Sequence, residues 1–269
     1  MHLSRFVVFS VIFVLIVKSV GSQQPSTQLN QVPQRDPQAV LLLTQALNAA
    51  GGTSAVSMIQ DFTGTGTITY FWAGQEVSGP VTVRGLGTSW FRLDAQLPDG
   101  TRSWIVNDIQ GTTKNADGTT NPIQYSNAVN LGSLTFPYAR MAVALSNPSF
   151  SISMAGTASV NTRQGTVILI QQKFSASEDP TGDETRLNTK GYVIDSQTFA
   201  LLETVDTMWS EDGRMLPISH EVVFSNITTL NGLKVPFSIV EQLGGQRTWS
   251  LQLDSLKFNT GLTASVFQF

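Results

Sequence analysis

The sequence contains no cysteine, which removes disulfides, thiolate metal sites, iron–sulfur clusters and cysteine nucleophiles together. Its two histidines are His2 and His220, too few for a histidine-rich metal site. Charge is scarce: 13% of residues are charged, about half of the ~25% usual in soluble proteins. Basic residues are outnumbered 16 to 19, for a formal net charge of −3 and a pI near 5.3. That balance argues against a nucleic-acid partner, which needs a basic face. No G-x-S-x-G elbow or Walker-type loop occurs. No metal or cofactor is expected, and the chain reads as a non-enzyme.

What is present is 41% hydrophobic residue with 22 Gly and 11 Pro spread through Thr- and Ser-rich sequence. That composition suits turns and strands. One segment stands apart. Residues 1–22 have Arg5, an apolar run Phe6 to Val17 and the small residues Val20-Gly21-Ser22, the three parts of a secretory signal peptide. A spanning helix needs roughly 20 apolar residues, and Lys18 ends this run early. No cysteine follows for lipid attachment. Residues 23–35 read as a flexible, Gln-, Pro- and Ser-rich leader, and residues 36–269 as a single β-rich domain. An exported protein, periplasmic or extracellular, is expected, with no stable transmembrane segment after cleavage.

The first ordered element is a helix over 36–50. Asp36 can cap it, Pro37 suits the first position, and Gly51-Gly52 stops it. Val40, Leu43, Leu47 and Ala50 make one apolar stripe. After Gly52 the period becomes two. Ile68, Tyr70 and Trp72 alternate with threonines and Phe71, while Phe91, Leu93, Ala95 and Leu97 alternate with Trp90, Arg92, Asp94 and Gln96. The pairs Asp99-Gly100, Asp117-Gly118, Asp212-Gly213, Asn231-Gly232 and Gly244-Gly245 mark antiparallel reversals. Residues 125–147 interrupt the strands with two helical stretches, 125–134 and 137–145, whose one basic residue is Arg140. Strands resume at Phe150, Ile152 and Met154, and run on to 246–258. There Trp249, Leu251 and Leu253 change parity with Leu256 and Phe258, so a bulge is expected near Asp254-Ser255.

The stretch Val223-Phe224-Ser225-Asn226, Asn231-Gly232-Leu233-Lys234-Val235-Pro236, Gly244-Gly245 and Leu256-Lys257-Phe258-Asn259 resembles the ending of the LolA/LolB-like lipoprotein-carrier superfamily. The helix at 36–50 matches that group's opening helix. The resemblance implies a mainly β fold with a few helices (α+β), an incomplete antiparallel barrel or strongly curved sheet of about 11 strands. An N-terminal helix and a central helical lid complete it. It also implies a lipid or acyl-chain ligand in an apolar cavity, in the manner of a carrier or sensor, without catalysis. The expected lining is Trp72, Phe91, Leu93, Trp104, Phe136, Met141, Phe150, Ile152, Met154, Trp249 and Leu251. Arg92 and Arg140 are the two candidates for the family's pocket arginine.

Two other functions stand beside this one. A filled barrel gives an envelope structural or interaction module, whose partner is another envelope protein. A hydrolase is the third reading, but it needs a nucleophile–base pair with no signature here. His220 shares parity with Ile218, Val222 and Phe224, and is expected as a satisfied interior histidine. The acidic run Glu178-Asp179-Pro180-Thr181-Gly182-Asp183-Glu184 does not fit a calcium loop and is expected as a solvated turn. Asn226-Ile227-Thr228 is a glycosylation triplet, meaningful only in a eukaryotic secretory route. Cleavage after Ser22 leaves a chain of net charge −5 that begins at Gln23. Intact-mass measurement on the exported protein checks this, and a retained N-terminus would refute it.

Overall fold

The structure, a computed structural model, describes residues 33–108, 110–210 and 216–268. The expected signal peptide, residues 23–32 of the leader and the Asp212-Gly213 turn lie outside the described residues. Two helices open the chain, α1 (Pro37–Ala49) and α2 (Thr53–Ser57). The Asp36 side chain accepts hydrogen bonds from the amides of Gln38 and Ala39, satisfying donors that a helix start leaves bare. Ala39, Leu43, Ala46 and Leu47 form the buried stripe, and Gly51 and Gly52 take positive φ angles of 123° and 107° at its end.

Six strands follow: β1 (Asp61–Trp72), β2 (Gln75–Leu86), β3 (Trp90–Leu97), β4 (Gly100–Asn107), β5 (Gln110–Lys114) and β6 (Thr120–Ile123). The helices α3 (Tyr125–Leu131) and α4 (Tyr138–Ser146) then carry the chain to β7 (Phe150–Val160). The return runs through β8 (Arg163–Gln172), a one-turn helix α5 (Asp183–Leu187), β9 (Lys190–Asp195), β10 (Leu201–Trp209), β11 (Pro217–Leu230), β12 (Leu233–Leu243) and β13 (Gln246–Phe258). All thirteen strands form one antiparallel sheet in the order β6-β5-β4-β3-β2-β1-β13-β12-β11-β10-β9-β8-β7. The chain winds outward from the middle to one edge, crosses over on α3 and α4, and winds back from the other edge.

The count exceeds the expected 11, and β5 and β6, on either side of the Asp117-Gly118 reversal, read Gln-Gly-Thr-Thr-Lys and Thr-Asn-Pro-Ile. Neither has an alternating apolar pattern. Pairing of β5 to β4 and of β6 to β5 makes them strands, and no side-chain period announces it. The reversals at Asp99-Gly100, Asp117-Gly118, Asn231-Gly232 and Gly244-Gly245 fall where expected. The bulge does as well: Thr65 pairs with Ser255 but Gly66 pairs with Leu253, leaving Asp254 as the extra residue. That shift keeps Leu251, Leu253, Leu256 and Phe258 on one face.

The sheet is strongly curved and unclosed. Strands lie ~4.8 Å apart, and three of them separate β4 from β13. The rings of Trp104 on β4 and Trp249 on β13 are nevertheless 6.4 Å apart. Only a curled sheet brings them together. The inner face carries the main core, and α1, α2, α3 and α4 pack over it. The last turn of α4 is tied to the start of the domain by Arg35. Its guanidinium donates to the carbonyls of Ala144 (3.0 Å), Leu145 (2.7 Å), Asn147 (3.0 Å) and Phe150 (3.2 Å). Gln34 and Asp36 pair with Ile152 on β7 alongside it.

Charged donors to helix-end carbonyls are worth roughly 1.5–3 kcal/mol, with a dipole contribution in the same direction. Arg35→Ala should therefore lower unfolding stability by about 2 kcal/mol in urea titrations. Arg35→Lys should recover only part, because an ammonium cannot span four carbonyls. An unchanged midpoint would show that the cap carries no stability.

Candidate functional site

Of the eleven residues expected to line a cavity, the structure brings eight into one buried cluster: Phe91, Leu93, Phe136, Met141, Phe150, Ile152, Trp249 and Leu251. Trp104 is half-buried and packs against that cluster. Trp72 and Met154 stand apart, 77% and 36% exposed. Trp72 has the inner-face parity of Ile68 and Tyr70 but ends β1 at its hairpin tip, beyond the elements that would cover it. Met154 lies at the register shift of β7, an edge strand.

Parity placed these residues well, and eight of them are buried in the main core. The apolar hollow bounded by Phe62, Val83, Phe136, Val235, Leu253 and Leu256 has a volume of about 10 Å³, too little for a single methyl-sized guest. Phe136 closes it, with ring centroids 5.8 Å from Phe62 and 5.5 Å from Phe258. Larger hollows lie elsewhere, and one of about 550 Å³ has Leu169, Val205, Trp209 and Ile218 in its lining. Another of about 740 Å³ on the outer face is lined by Arg84, Arg92, Asp94, Ser103 and Lys114 among others. Asp94 gathers Arg84 (2.6 Å) and Arg92 (2.8 Å) there. Arg92 also holds the C-terminal segment through the carbonyls of Val266 and Gln268. It therefore faces away from the apolar side, whereas Arg140 lies on α4 and donates to the carbonyl of Asn188 at 2.7 Å.

Helices α3 and α4 lie lengthwise over the inner face. At one rim, Asn127 exchanges hydrogen bonds with the backbone of Trp209 (2.7 and 3.0 Å), and Asn130 donates to Leu187 (2.8 Å). Toward the opposite rim, Phe136 packs on Phe62 and Phe258. This insert buries Ser126, Asn127, Asn130, Ser133 and Thr135. Ser126 Oγ, Asn130 Oδ1, Thr135 Oγ1 and Arg140 Nε are buried without a hydrogen-bond partner among the described residues. The surface of the insert that meets the sheet is thus partly polar and incompletely satisfied.

Beneath the insert, four ionisable side chains form a line across adjacent strands. Lys190 on β9 meets Asp206 on β10 at 2.8 Å, and Asp206 meets His220 Nδ1 on β11 at 2.7 Å. His220 Nε2 then meets Glu241 on β12 at 3.1 Å. Thr248 on β13 donates to the other oxygen of Glu241, and Lys190 donates to the carbonyl of Asn130 on α3 at 2.7 Å. All four are buried, His220 completely. Burial works against a charged imidazole, but Asp206 and Glu241 on either side prevail and raise its pKa to about 9. Burial likewise opposes the Asp206 carboxylate, yet Lys190 and His220 hold it down at about 2. Burial depresses Lys190 against the pull of Asp206. Both nitrogens of His220 are committed to carboxylates, which suits a structural ion chain and leaves none for a substrate proton or a metal.

The interior histidine was legible from parity, whereas its three partners were missed. Their signal was a charge at an inward position: Lys190 in phase with Tyr192 and Ile194, Asp206 with Thr204, Glu241 with Ile239. The acidic run also differs from a plain solvated turn. Asp179 is buried and accepts from the amides of Glu184 (3.2 Å) and Thr185 (2.8 Å) at the start of α5. Glu178 and Asp183 remain exposed. On the outer face Glu203 is raised to about 7, mainly by burial and further by Glu221.

No protein-family model matches the chain, and no curated protein matches it. Solved structures do. An outer membrane lipoprotein-sorting protein domain from Vibrio parahaemolyticus is 11% identical, with 84% of this chain and 97% of that one covered at a TM-score of 0.49. A LolA superfamily protein from Nitrosomonas europaea is 14% identical over 83% and 96%, also at 0.49. A DUF1329 family protein from Desulfovibrio piger is 11% identical over 85% and 96%, at 0.48.

The raised pKa of His220 sets a pH dependence. The stability contributed by its charged ring is complete below the free value of 6.5 and is lost as pH rises through about 9. Thermal melting should accordingly fall between pH 7 and 10, and His220→Ala should flatten that slope. The variant leaves two buried carboxylates without their shared partner, a loss of roughly 3–5 kcal/mol for a broken buried pair. A pH-independent midpoint in the wild type would overturn the protonation assignment.

Proposed function

We propose that this is an exported, non-catalytic binding protein for a lipid or acyl-chain ligand, and that the described structure is its closed form. The observation that carries the reading is the α3–α4 insert. It covers the apolar inner face of the sheet, yet it does so with buried hydroxyl, amide and guanidinium groups left unsatisfied. An apolar cover with fully paired polar groups would be held firmly. When this one lifts, water satisfies Ser126, Asn130, Thr135 and Arg140 at once, which offsets part of the cost of exposing Leu134, Phe136 and Met141. Lifting exposes the cluster around Phe91, Leu93, Ile152 and Leu251 to an acyl chain, whose burial is worth roughly 25 cal/mol per Å². The resemblance of the C-terminal motifs to the carrier superfamily supports the same reading.

The burial of eight expected lining residues in the main core favours a second reading, an interaction module that presents its surface to another envelope protein. The two differ in one measurable respect. In a lid mechanism, affinity falls when the closed state is stabilised. Ser126→Ala with Thr135→Val removes two unsatisfied hydroxyls at nearly constant volume. The double variant should melt a few degrees higher and bind an acyl-chain fluorophore severalfold more weakly than the wild type. If the wild type shows no saturable binding to fatty acids, phospholipids or lipopeptides, the interaction module takes its place.

A further inference from the structure

The inner face ends at a rim where polar donors collect around three aromatic rings. Tyr70 on β1 and Trp249 on β13 are directly opposed in register. Trp104 lies 6.5 Å from the Tyr70 ring and 6.4 Å from that of Trp249. Arg102 shares the inner face of β4 with Trp104, since it pairs with Ala95 as Trp104 pairs with Leu93. The Tyr70 hydroxyl, the Trp249 indole nitrogen and Arg102 Nε are each shut off from solvent without a hydrogen-bond partner among the described residues. Trp249 is 1% exposed. Three orphaned donors in one fold are costly singly, and here they surround one aromatic patch.

The surrounding charges are already matched. Arg102 pairs with Asp99 at 2.6 Å. Glu241, whose carboxylate helps burial to raise the Tyr70 pKa, is opposite Trp249 in register, but its oxygens are taken by His220 and Thr248. His220 is balanced between Asp206 and Glu241, and Lys190 by Asp206. The rim therefore offers donors without net charge. Its half-buried apolar neighbours Val77, Trp104 and Met208 all pack against the main core, so the patch continues into the face that an acyl chain would cover.

We propose that this rim is the head subsite of the ligand, and that Tyr70, Trp249 and Arg102 donate hydrogen bonds to an uncharged carbonyl, the ester or amide of an acylated molecule. The subsite deepens the acyl-chain reading above and rests on it. An uncharged oxygen satisfies buried donors without bringing an unpaired charge into a low-dielectric site. A free carboxylate, in contrast, brings a charge that must be desolvated, and Arg102 beside it is already paired with Asp99.

Calorimetric titration with methyl decanoate, decanoate and decane tests this on the mature protein. The wild type should bind the ester about tenfold more tightly than either of the others, the scale of a hydrogen bond to a buried donor. In Tyr70→Phe/Trp249→Phe the ester should fall to the level of decane, while decane binding and the circular dichroism spectrum stay the same. Loss of the orphaned donors offsets part of the volume lost at Trp249, so its melting temperature should fall by less than a core truncation alone would cause. Tyr70→Phe alone, at a half-buried position, gives the same comparison if the double variant misfolds. Decane bound as tightly as the ester in the wild type would sink the head subsite and leave the acyl-binding reading standing. Tighter binding of decanoate, or an ester affinity unmoved in the variants, would overturn the uncharged-carbonyl assignment. Binding of none of the three would refute both readings.

Discussion

A single antiparallel sheet with one apolar face has to bury that face, and here no second sheet exists among the described residues to do it. The inner face therefore depends on curvature and on a few short helices. Curvature comes from the twist of long strands and from the bulges at Asp254 and in β7. Covering comes from α1, α2 and the α3–α4 insert. The winding order makes that insert unavoidable, because β6 and β7 sit at opposite edges and the chain between them has to cross the sheet. The most lid-like part of the molecule is thus a consequence of topology.

The same constraint explains where the polar groups went. The insert meets the sheet over its whole length, and a wholly apolar contact would lock it in place. Asn127 and Asn130 fix one rim by hydrogen bonds to backbone, Phe136 fixes the other by ring contacts, and Arg35 ties the end of α4. Between these anchors lie unsatisfied hydroxyl and guanidinium groups. Below them the Lys190–Asp206–His220–Glu241 line cross-links four neighbouring strands through side chains alone. A buried ion chain of this kind adds little net stability over an apolar one, but it penalises any strand register that would leave a charge unpaired.

The two layers are therefore anchored in different ways. The sheet beneath is pinned by backbone ladders and by the charge line, and the cover above is pinned at its ends. Tyr70, Trp104 and Trp249 lie together at the rim of the sheet, where the Tyr70 and Trp249 donors are sealed from solvent yet unspent.

Much of the sheet was legible in the chain itself. Period two in 90–97 placed Phe91, Leu93 and Ala95 inward, the Asp-Gly, Asn-Gly and Gly-Gly pairs placed the reversals, and the parity change after Leu253 placed the bulge. Asp36, Pro37 and Gly51 bounded α1 for local reasons, through capping and backbone conformation. Each of these signals is decided within a few residues. Strands β5 and β6 were announced only by the Asp117-Gly118 reversal between them, because their polar residues become strand only when β4 pairs with β5 and β5 with β6. Nor could parity separate Trp72 from Trp249, since both point to the same face and only the covering elements tell them apart. Whether the inner face is hollow or filled depends on the side-chain volumes of four helices and thirteen strands at once. The pairing of His220 with Asp206 and Glu241 depends on a register between strands 14 and 21 residues distant in the chain. Local sequence determined the elements and their faces; contacts across the sheet decided what those faces enclose.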